Sequence, residues 1–74
     1  MSYGEKAVGL SFNPSGDPAV DTMKRDYAKI IDALHDLRRL GNTEEQQRLC
    51  SIAITEAQAA QMWAVKAITW NGKG

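Results

Sequence analysis

The chain has 74 residues, with nine lysines and arginines balanced by nine aspartates and glutamates, so its formal net charge is zero. This length excludes a multidomain enzyme, and a neutral chain lacks the basic surface with which duplex-DNA binders neutralise phosphates. The single cysteine, Cys50, excludes an internal disulfide, and together with the single histidine, His35, it cannot form a zinc site of four protein ligands.

A chain this short needs stabilisation beyond its own core, which supplies only about 3–5 kcal/mol. With disulfides and metals excluded, association of subunits remains, and we expect neither a metal nor a cofactor. The sequence has no run of about 18 apolar residues to cross a bilayer and no signal-peptide pattern at its start. We therefore expect no membrane partner, no genomic nucleic acid as partner and a cytoplasmic location.

The first 16 residues predict an irregular arm, because the pairs Asn13-Pro14 and Ser15-Gly16 favour turns. Gly16 can adopt the positive φ that such a turn requires. A helical hairpin domain is predicted over residues 17–74.

The first helix of this domain is predicted over residues 18–40. Asp17 can cap its free N–H groups, and Pro18 suits the first helical position. Apolar residues then recur in steps of three and four and predict one buried stripe, formed by Val20, Met23, Tyr27, Ile30, Leu34 and Leu37.

The second helix is predicted over residues 44–70, with no glycine or proline inside it. Gly41 is expected to end the first helix in the left-handed conformation, and Thr43 with Gln46 is a capping-box pattern. A connection this short makes the two helices an antiparallel hairpin.

The second helix is apolar on two sides. One face consists of Leu49, Ile52, Ala53, Ala60, Trp63, Ala67 and Trp70, and the other of Cys50, Ile54, Ala57, Gln61, Val65 and Ile68. A two-helix hairpin has only one internal seam, so we expect other subunits to cover the remaining face. The predicted fold is thus all-α, a hairpin that assembles into a multi-subunit helical bundle.

Catalytic residues are not apparent in the sequence. His35 and Cys50 lie on different helices with no third residue to orient the imidazole, so no nucleophilic site is predicted. Asp32 and Asp36 face the same way, but neighbouring basic residues indicate a solvated charged face rather than a carboxylate pair. We expect a protein that is not an enzyme.

The arm offers two interpretations. Phe12 can plug the hairpin while Lys24 lies along apolar surface, which is a purely structural role. Alternatively, Phe12 stacks on a nucleobase while Lys24, Arg25 or Lys29 meets a phosphate, and the turn at Ser15 and Gly16 lies close by.

The sequence resembles a family of small phage proteins. The resemblance is carried by the segment from Gly9 to Asp17, the helix from Val20 to Leu37, and the segments 52–55 and 61–70. Together these residues are similar to the hairpin domain shared by anti-CBASS and anti-Thoeris sponges. Such sponges bind cyclic oligonucleotide or cyclic ADP-ribose immune signals without cleaving them, and they assemble as helical oligomers, often hexamers.

The resemblance implies specific roles for residues. In the family's dinucleotide pocket an aromatic stacks on a base and a first-helix lysine meets phosphate, roles that fall on Phe12 and Lys24, with Arg25 or Lys29 as alternatives for the lysine. A second kind of site, for cyclic trinucleotides, would be lined by Arg48, Ser51 and Thr55.

The expected function is therefore sequestration of a cyclic oligonucleotide signal in the cytoplasm of a bacterial host. The alternative is a structural or adaptor phage protein whose exposed helix face binds a protein partner, and a hydrolase of the same signals is a third, weaker interpretation. The identity of the ligand, the number of sites and the exact oligomeric state do not follow from the sequence.

Overall fold

A computed structural model of the chain describes residues 1–13 and 16–70. It contains three helices, α1 (Tyr3–Ala7), α2 (Pro18–Leu40) and α3 (Glu44–Thr69), and the described residues include no strand. The helices α2 and α3 pack along one another as the predicted antiparallel hairpin, and α1 packs on α2. The all-helical fold class is confirmed. None of the described helices is long and apolar enough to span a membrane.

Local capping explains where the two long helices begin. The Asp17 carboxylate accepts a hydrogen bond from the N–H of Ala19 at 2.9 Å, with Pro18 at the first helical position. The Thr43 hydroxyl accepts from the N–H of Gln46 at 3.0 Å. These contacts satisfy N–H groups that have no partner within the helix. Both predicted helix starts are confirmed, and α3 ends one residue before its predicted end.

The expectation for Gly41 was wrong. Gly41 is extended, with φ −63° and ψ 138°, and its N–H donates to the carbonyl of Arg38. A Cβ at this position would lie 3.3 Å from both the Arg38 carbonyl oxygen and the Cγ of Gln47. The small size of glycine suits the tight link between the helices here, and left-handed backbone geometry is not needed.

The predicted irregular arm contains a helix, which corrects the sequence interpretation. The Ser2 hydroxyl accepts from the N–H of Glu5 at 3.1 Å, and the Glu5 carboxylate accepts from the N–H of Ser2 at 2.8 Å. This reciprocal capping box starts α1. Its pattern, Ser2 followed three residues later by Glu5, is readable in the sequence, but a helix of five residues lacks the apolar periodicity by which the longer helices were found.

Close contacts hold α1 against α2. A Cβ on Gly4 would lie 2.1 Å from the carbonyl oxygen of Ala28, so only glycine allows this approach. The N–H of Gly4 donates to the carboxylate of Asp32 at 2.6 Å, and the rings of Tyr3 and His35 stack. The arm therefore packs as an integral part of the fold.

The core is small and includes the arm. Its buried cluster consists of Val8, Ala28, Ile31 and Ile54, with Tyr27 and Leu34 packed against it. Cys50 is also buried, which agrees with the expectation that it behaves as a small apolar residue.

Part of the predicted apolar stripe of α2 faces the core, and the rest is exposed to solvent. Val20 is buried and Tyr27 and Leu34 face the core, whereas Ile30 and Leu37 are exposed, contrary to prediction. The buried face of α2 is rotated about the helix axis relative to the predicted face, and it includes Lys24 and Ala28. The apolar surface of α2 is therefore wider than the seam it forms with α3.

Candidate functional site

The turn after α1 presents Phe12 to solvent. Gly9 has φ +63°, a conformation that favours glycine, and its carbonyl accepts from the N–H of Phe12 at 2.9 Å. The Phe12 side chain is 72% exposed. Its ring therefore does not plug the hairpin within one chain, contrary to that interpretation of the sequence.

Lys24 lies directly beneath this turn. Its residue is only 5% exposed, and its Nζ donates to the carbonyl of Gly9 at 3.0 Å and to the carbonyl of Phe12. The same Nζ lies 5.6 Å from the centre of the Phe12 ring, within the range of a cation–π contact. A buried ammonium needs such partners, because burial without them is costly. The structure thus brings Phe12 and Lys24 together, but the ammonium is directed at the arm's carbonyls rather than along apolar surface.

Asn13 forms a second tie between the arm and α2. Its Nδ2 donates to the carbonyl of Asp17 at 3.0 Å and to the carboxylate of Asp21 at 2.9 Å. Sequence reasoning treated Asn13 only as a turn former and missed this role. The signal available was its position four residues before the helix cap. Phe12 consequently lies between two anchored points, Lys24 and Asn13.

The predicted turn before α2 is only partly described. Gly16 has φ +65°, as expected for the residue that leads into the Asp17 cap. Ser15 lies outside the described residues. The roles of Ser15 and Gly16 in ligand binding stay predictions.

Arg25 is separated from Phe12 within one chain. It is exposed and lines a groove of about 590 Å³ between α1 and α2. The other residues of the groove are Ser2, Glu5, Thr22, Asp26, Ala28, Lys29 and Asp32. Arg25 and Lys29 therefore share one surface, and neither Phe12 nor Lys24 lines that groove.

The three residues predicted for a second site share a shallow surface cavity. Arg48, Ser51 and Thr55 line a space of about 300 Å³ together with Ile52 and Glu56. Their spacing along α3 predicts this proximity, because residues three, four and seven apart lie on one side of a helix. Their role in binding a ligand stays a prediction.

Arg48 and Ser51 already have partners in this cavity. The Arg48 guanidinium contacts the carboxylate of Glu45 through two nitrogens, which raises the pKa of Arg48 above its ordinary value. The Ser51 hydroxyl donates to the carbonyl of Gln47 and accepts from Arg38, both at 3.1 Å. A ligand would have to compete with Glu45 for the charge of Arg48.

Sequence reasoning missed the central position of Arg38. One guanidinium nitrogen bonds to Ser51 on α3, and the other lies 3.2 Å from Nδ1 of His35. The guanidinium carbon also lies 5.6 Å from the centre of the Tyr3 ring. In the sequence, Arg38 is one of two basic residues in the last turn of α2, and that position does not reveal these contacts. The structure shows that it joins all three helices.

The charged face of α2 is a solvated surface only in part, because α1 covers Asp32 while Asp36 is exposed. Arg39 forms an exposed ion pair with Asp36 at 3.3 Å, and Asp32 accepts from the backbone of α1. Asp32 and Asp36 therefore have separate partners. Among the residues that the structure describes, no group of three or more His, Cys, Asp or Glu side chains is placed to hold a metal ion.

A large apolar surface of α3 is exposed. Of the two predicted apolar faces, the one with Cys50, Ile54 and Gln61 forms the seam, as the burial of these three residues shows. The other face is open, and its exposed large side chains are Leu49, Ile52, Trp63 and Trp70. Trp63 is 70% exposed, and Nζ of Lys66 lies 5.4 Å from its ring centre.

The chain matches one known protein family. Residues 5–69 match the family model described as Acb2/Tad1, hairpin domain, which spans α2, α3 and most of the arm. No curated protein and no solved structure matches the chain.

Proposed function

The chain belongs to the Acb2/Tad1 hairpin family, and from that membership we propose that it is a phage sponge that sequesters a cyclic oligonucleotide or cyclic ADP-ribose signal. The family is one of binding proteins that act against CBASS and Thoeris immunity and is not known as an enzyme family. The match over residues 5–69 is the observation that carries the proposal. The protein binds the signal intact in the cytoplasm of the bacterial host, where the signal is made.

The proposal includes assembly into a homo-oligomer, with a hexamer as the expected state. It is supported by the open apolar face of α3 and by the exposure of Ile30 and Leu37 on α2. An exposed apolar surface of this extent usually marks an interface. A pocket between subunits also lets a short chain enclose a ligand, because each copy contributes only a few residues.

Phe12 and Lys24 form the dinucleotide site in this proposal. Support comes from the exposed ring of Phe12 and from the Lys24 ammonium, 5.6 Å from the centre of that ring. Two copies related by a two-fold axis would offer two aromatic rings to a ligand with two bases. Stacking contributes roughly 1–3 kcal/mol per base, so two stacked bases account for a large share of a tight affinity.

Arg25 completes this site across a subunit boundary, and the turn at Ser15 and Gly16 lies close to Phe12 along the chain. Arg25 points away from Phe12 of its own chain, into the groove beside α1. In an oligomer its guanidinium would instead face the Phe12 turn of a neighbouring copy. Bidentate contacts make arginine an effective phosphate ligand.

A second site at Arg48, Ser51 and Thr55 would take a cyclic trinucleotide. Its support is the shared cavity on α3. Hydroxyl donors beside a guanidinium suit the ribose and phosphate groups of such a ligand. Binding there would replace the contact between Arg48 and Glu45.

The adaptor hypothesis also draws on the open face of α3. A protein partner would cover Leu49, Ile52, Trp63 and Trp70 in place of further copies of the chain. In that case the protein would bind no small molecule and would purify together with the protein partner. The same experiment therefore separates the two hypotheses.

The test is native mass spectrometry of the purified protein, alone and with cyclic di-GMP, cyclic di-AMP, cyclic triadenylate and cyclic ADP-ribose isomers. The expected result is an oligomer that gains whole-ligand masses, with the ligand recovered intact after denaturation. An oligomer that binds none of these compounds would contradict the sponge function. Loss of the ligand's mass with appearance of a linear product would indicate hydrolysis instead.

A further inference from the structure

The backbone around Phe12 is held from two sides, although its ring has no support from the core. Lys24 donates to the carbonyls of Gly9 and Phe12, and Asn13 bonds to Asp17 and Asp21 at the start of α2. The ring itself is 72% exposed, and the ammonium of Lys24 lies 5.6 Å from the ring centre. The position of the ring therefore depends on polar ties to α2 rather than on apolar packing.

We infer that Lys24 is a positioning residue, which acts on the ligand through Phe12 by fixing the turn over residues 9–12 and not by contacting a phosphate. This inference rests on the proposed function and specifies how one residue of that site works. Its structural basis is the direction of the ammonium, which is directed at the two arm carbonyls.

The number of donors on Lys24 favours this role. An ammonium has three N–H donors, and two of them already bond to the Gly9 and Phe12 carbonyls. The residue is 5% exposed, so a phosphate would reach Nζ only if the arm moved away. Moving the arm would also displace Phe12, the stacking surface itself. In this arrangement, Lys24 cannot both contact a phosphate directly and hold the Phe12 ring in place.

The bonds from Lys24 to the Gly9 and Phe12 carbonyls, here called the clamp, favour binding because they pre-organise the stacking ring. A stacking side chain that is already fixed loses less conformational freedom when the ligand binds. Lys24 restricts the arm before the ligand arrives, and the two carbonyls that it satisfies would otherwise need other donors. The phosphates are left to exposed cations, such as Arg25 and Lys29 on the opposite surface of a neighbouring copy.

A double-mutant cycle on affinity tests this inference. The variants are Lys24→Met, which keeps most of the side-chain volume but removes the charge, Phe12→Ala, and the combination of both. Binding of cyclic di-GMP and cyclic di-AMP is measured by calorimetry. If Lys24 acts through Phe12, the double variant binds as weakly as Phe12→Ala alone, to within about twofold. If Lys24 contacts phosphate directly, the two losses multiply, and the inference is overturned.

Asn13→Ala extends the test without removing a charge or changing the seam between α2 and α3. It loosens the same turn from its other side, so we expect a loss of affinity of about fivefold or more that also disappears in the Phe12→Ala background. Unchanged affinity in Asn13→Ala would count against positioning of the ring. Lys6→Met, which removes a charge from the exposed side of α1, is the matched control and should bind as the wild type does.

A measurement on the free protein separates failure of this inference from failure of the proposed function. In amide hydrogen exchange, Lys24→Met should speed exchange at Phe12, whose N–H bonds within the turn, and leave exchange in α3 unchanged. Slow exchange at Phe12 in the variant would refute the clamp whether or not any ligand binds. Fast exchange in a protein whose wild type binds none of the compounds would keep the clamp and reject the sponge function.

Discussion

Tyr3 stacks on His35 with 4.2 Å between the ring centroids and 6° between the ring planes. This contact joins the first turn of α1 to the C-terminal half of α2, and the guanidinium of Arg38 lies over the same tyrosine ring. The arm is therefore attached at its beginning by rings and at its end by Lys24 and Asn13.

Replacing Tyr3 tests the stacked pair. We expect Tyr3→Leu to lower the free energy of unfolding by about 0.5–1.5 kcal/mol, because the aromatic contact with His35 is lost. Tyr3→Phe keeps the ring and should be nearly neutral. Chemical denaturation at one fixed protein concentration measures both variants, and equal stability of the two would contradict a contribution from stacking.

Gly4→Ala tests the close approach of α1 to α2. The added Cβ would collide with the carbonyl oxygen of Ala28, so α1 must move away and the bond between Gly4 and Asp32 is lost. We expect a loss of about 1–3 kcal/mol, as for other overpacked sites. Faster amide exchange in α1, with α3 unchanged, would locate the effect. Lys6→Ala is the control in the same helix and should change neither quantity.

Ala60→Glu tests assembly through the open face of α3. A carboxylate at this position would be buried without a partner in a subunit interface, so we expect the oligomer to dissociate. Ala60→Ser is the matched control, because it adds neither a charge nor a large volume at the same position and should keep the wild-type mass. Light scattering coupled to size-exclusion chromatography gives the masses. A wild-type mass for Ala60→Glu would exclude this face as the interface.

Phe12→Ala tests the stacking surface itself. We expect the affinity for the bound cyclic dinucleotide to fall about 5- to 150-fold for each stacked base, with no change in oligomer mass. Phe12→Tyr keeps the aromatic face and should retain most of the affinity. Calorimetric titration measures both, and an Ala variant that binds as tightly as the Tyr variant would remove Phe12 from the site.

Arg48→Gln tests the second site. Loss of the guanidinium should weaken binding of cyclic triadenylate by about tenfold, the size expected for a charge-assisted hydrogen bond, and leave dinucleotide binding unchanged. Glu45→Gln is the informative companion, because it frees Arg48 from its present partner and should strengthen trinucleotide binding. The same titration with both ligands gives the comparison. Equal losses for the two kinds of ligand would contradict a separate site.

Much of the fold could be predicted from the sequence because its determinants are local. Asp17, Pro18 and Thr43 specify the helix starts by bonds to neighbouring residues or by backbone restriction, and these were confirmed. The two apolar faces of α3 were equally readable from their spacing. The proximity of Phe12 and Lys24 was expected, because both residues were assigned to one site. The direction of the Lys24 ammonium was not expected.

The sequence alone determined the helical hairpin, its boundaries and the presence of more apolar surface than one hairpin can bury. Only the tertiary structure decided which face of α3 forms the seam, because both faces have the same period and the choice depends on how closely two helices can pack. It also decided that Ile30 faces outward, that Gly4 brings α1 against Ala28, and that Lys24 bonds to the arm. These are contacts between residues distant in the chain, and such contacts depend on packing that no local pattern specifies.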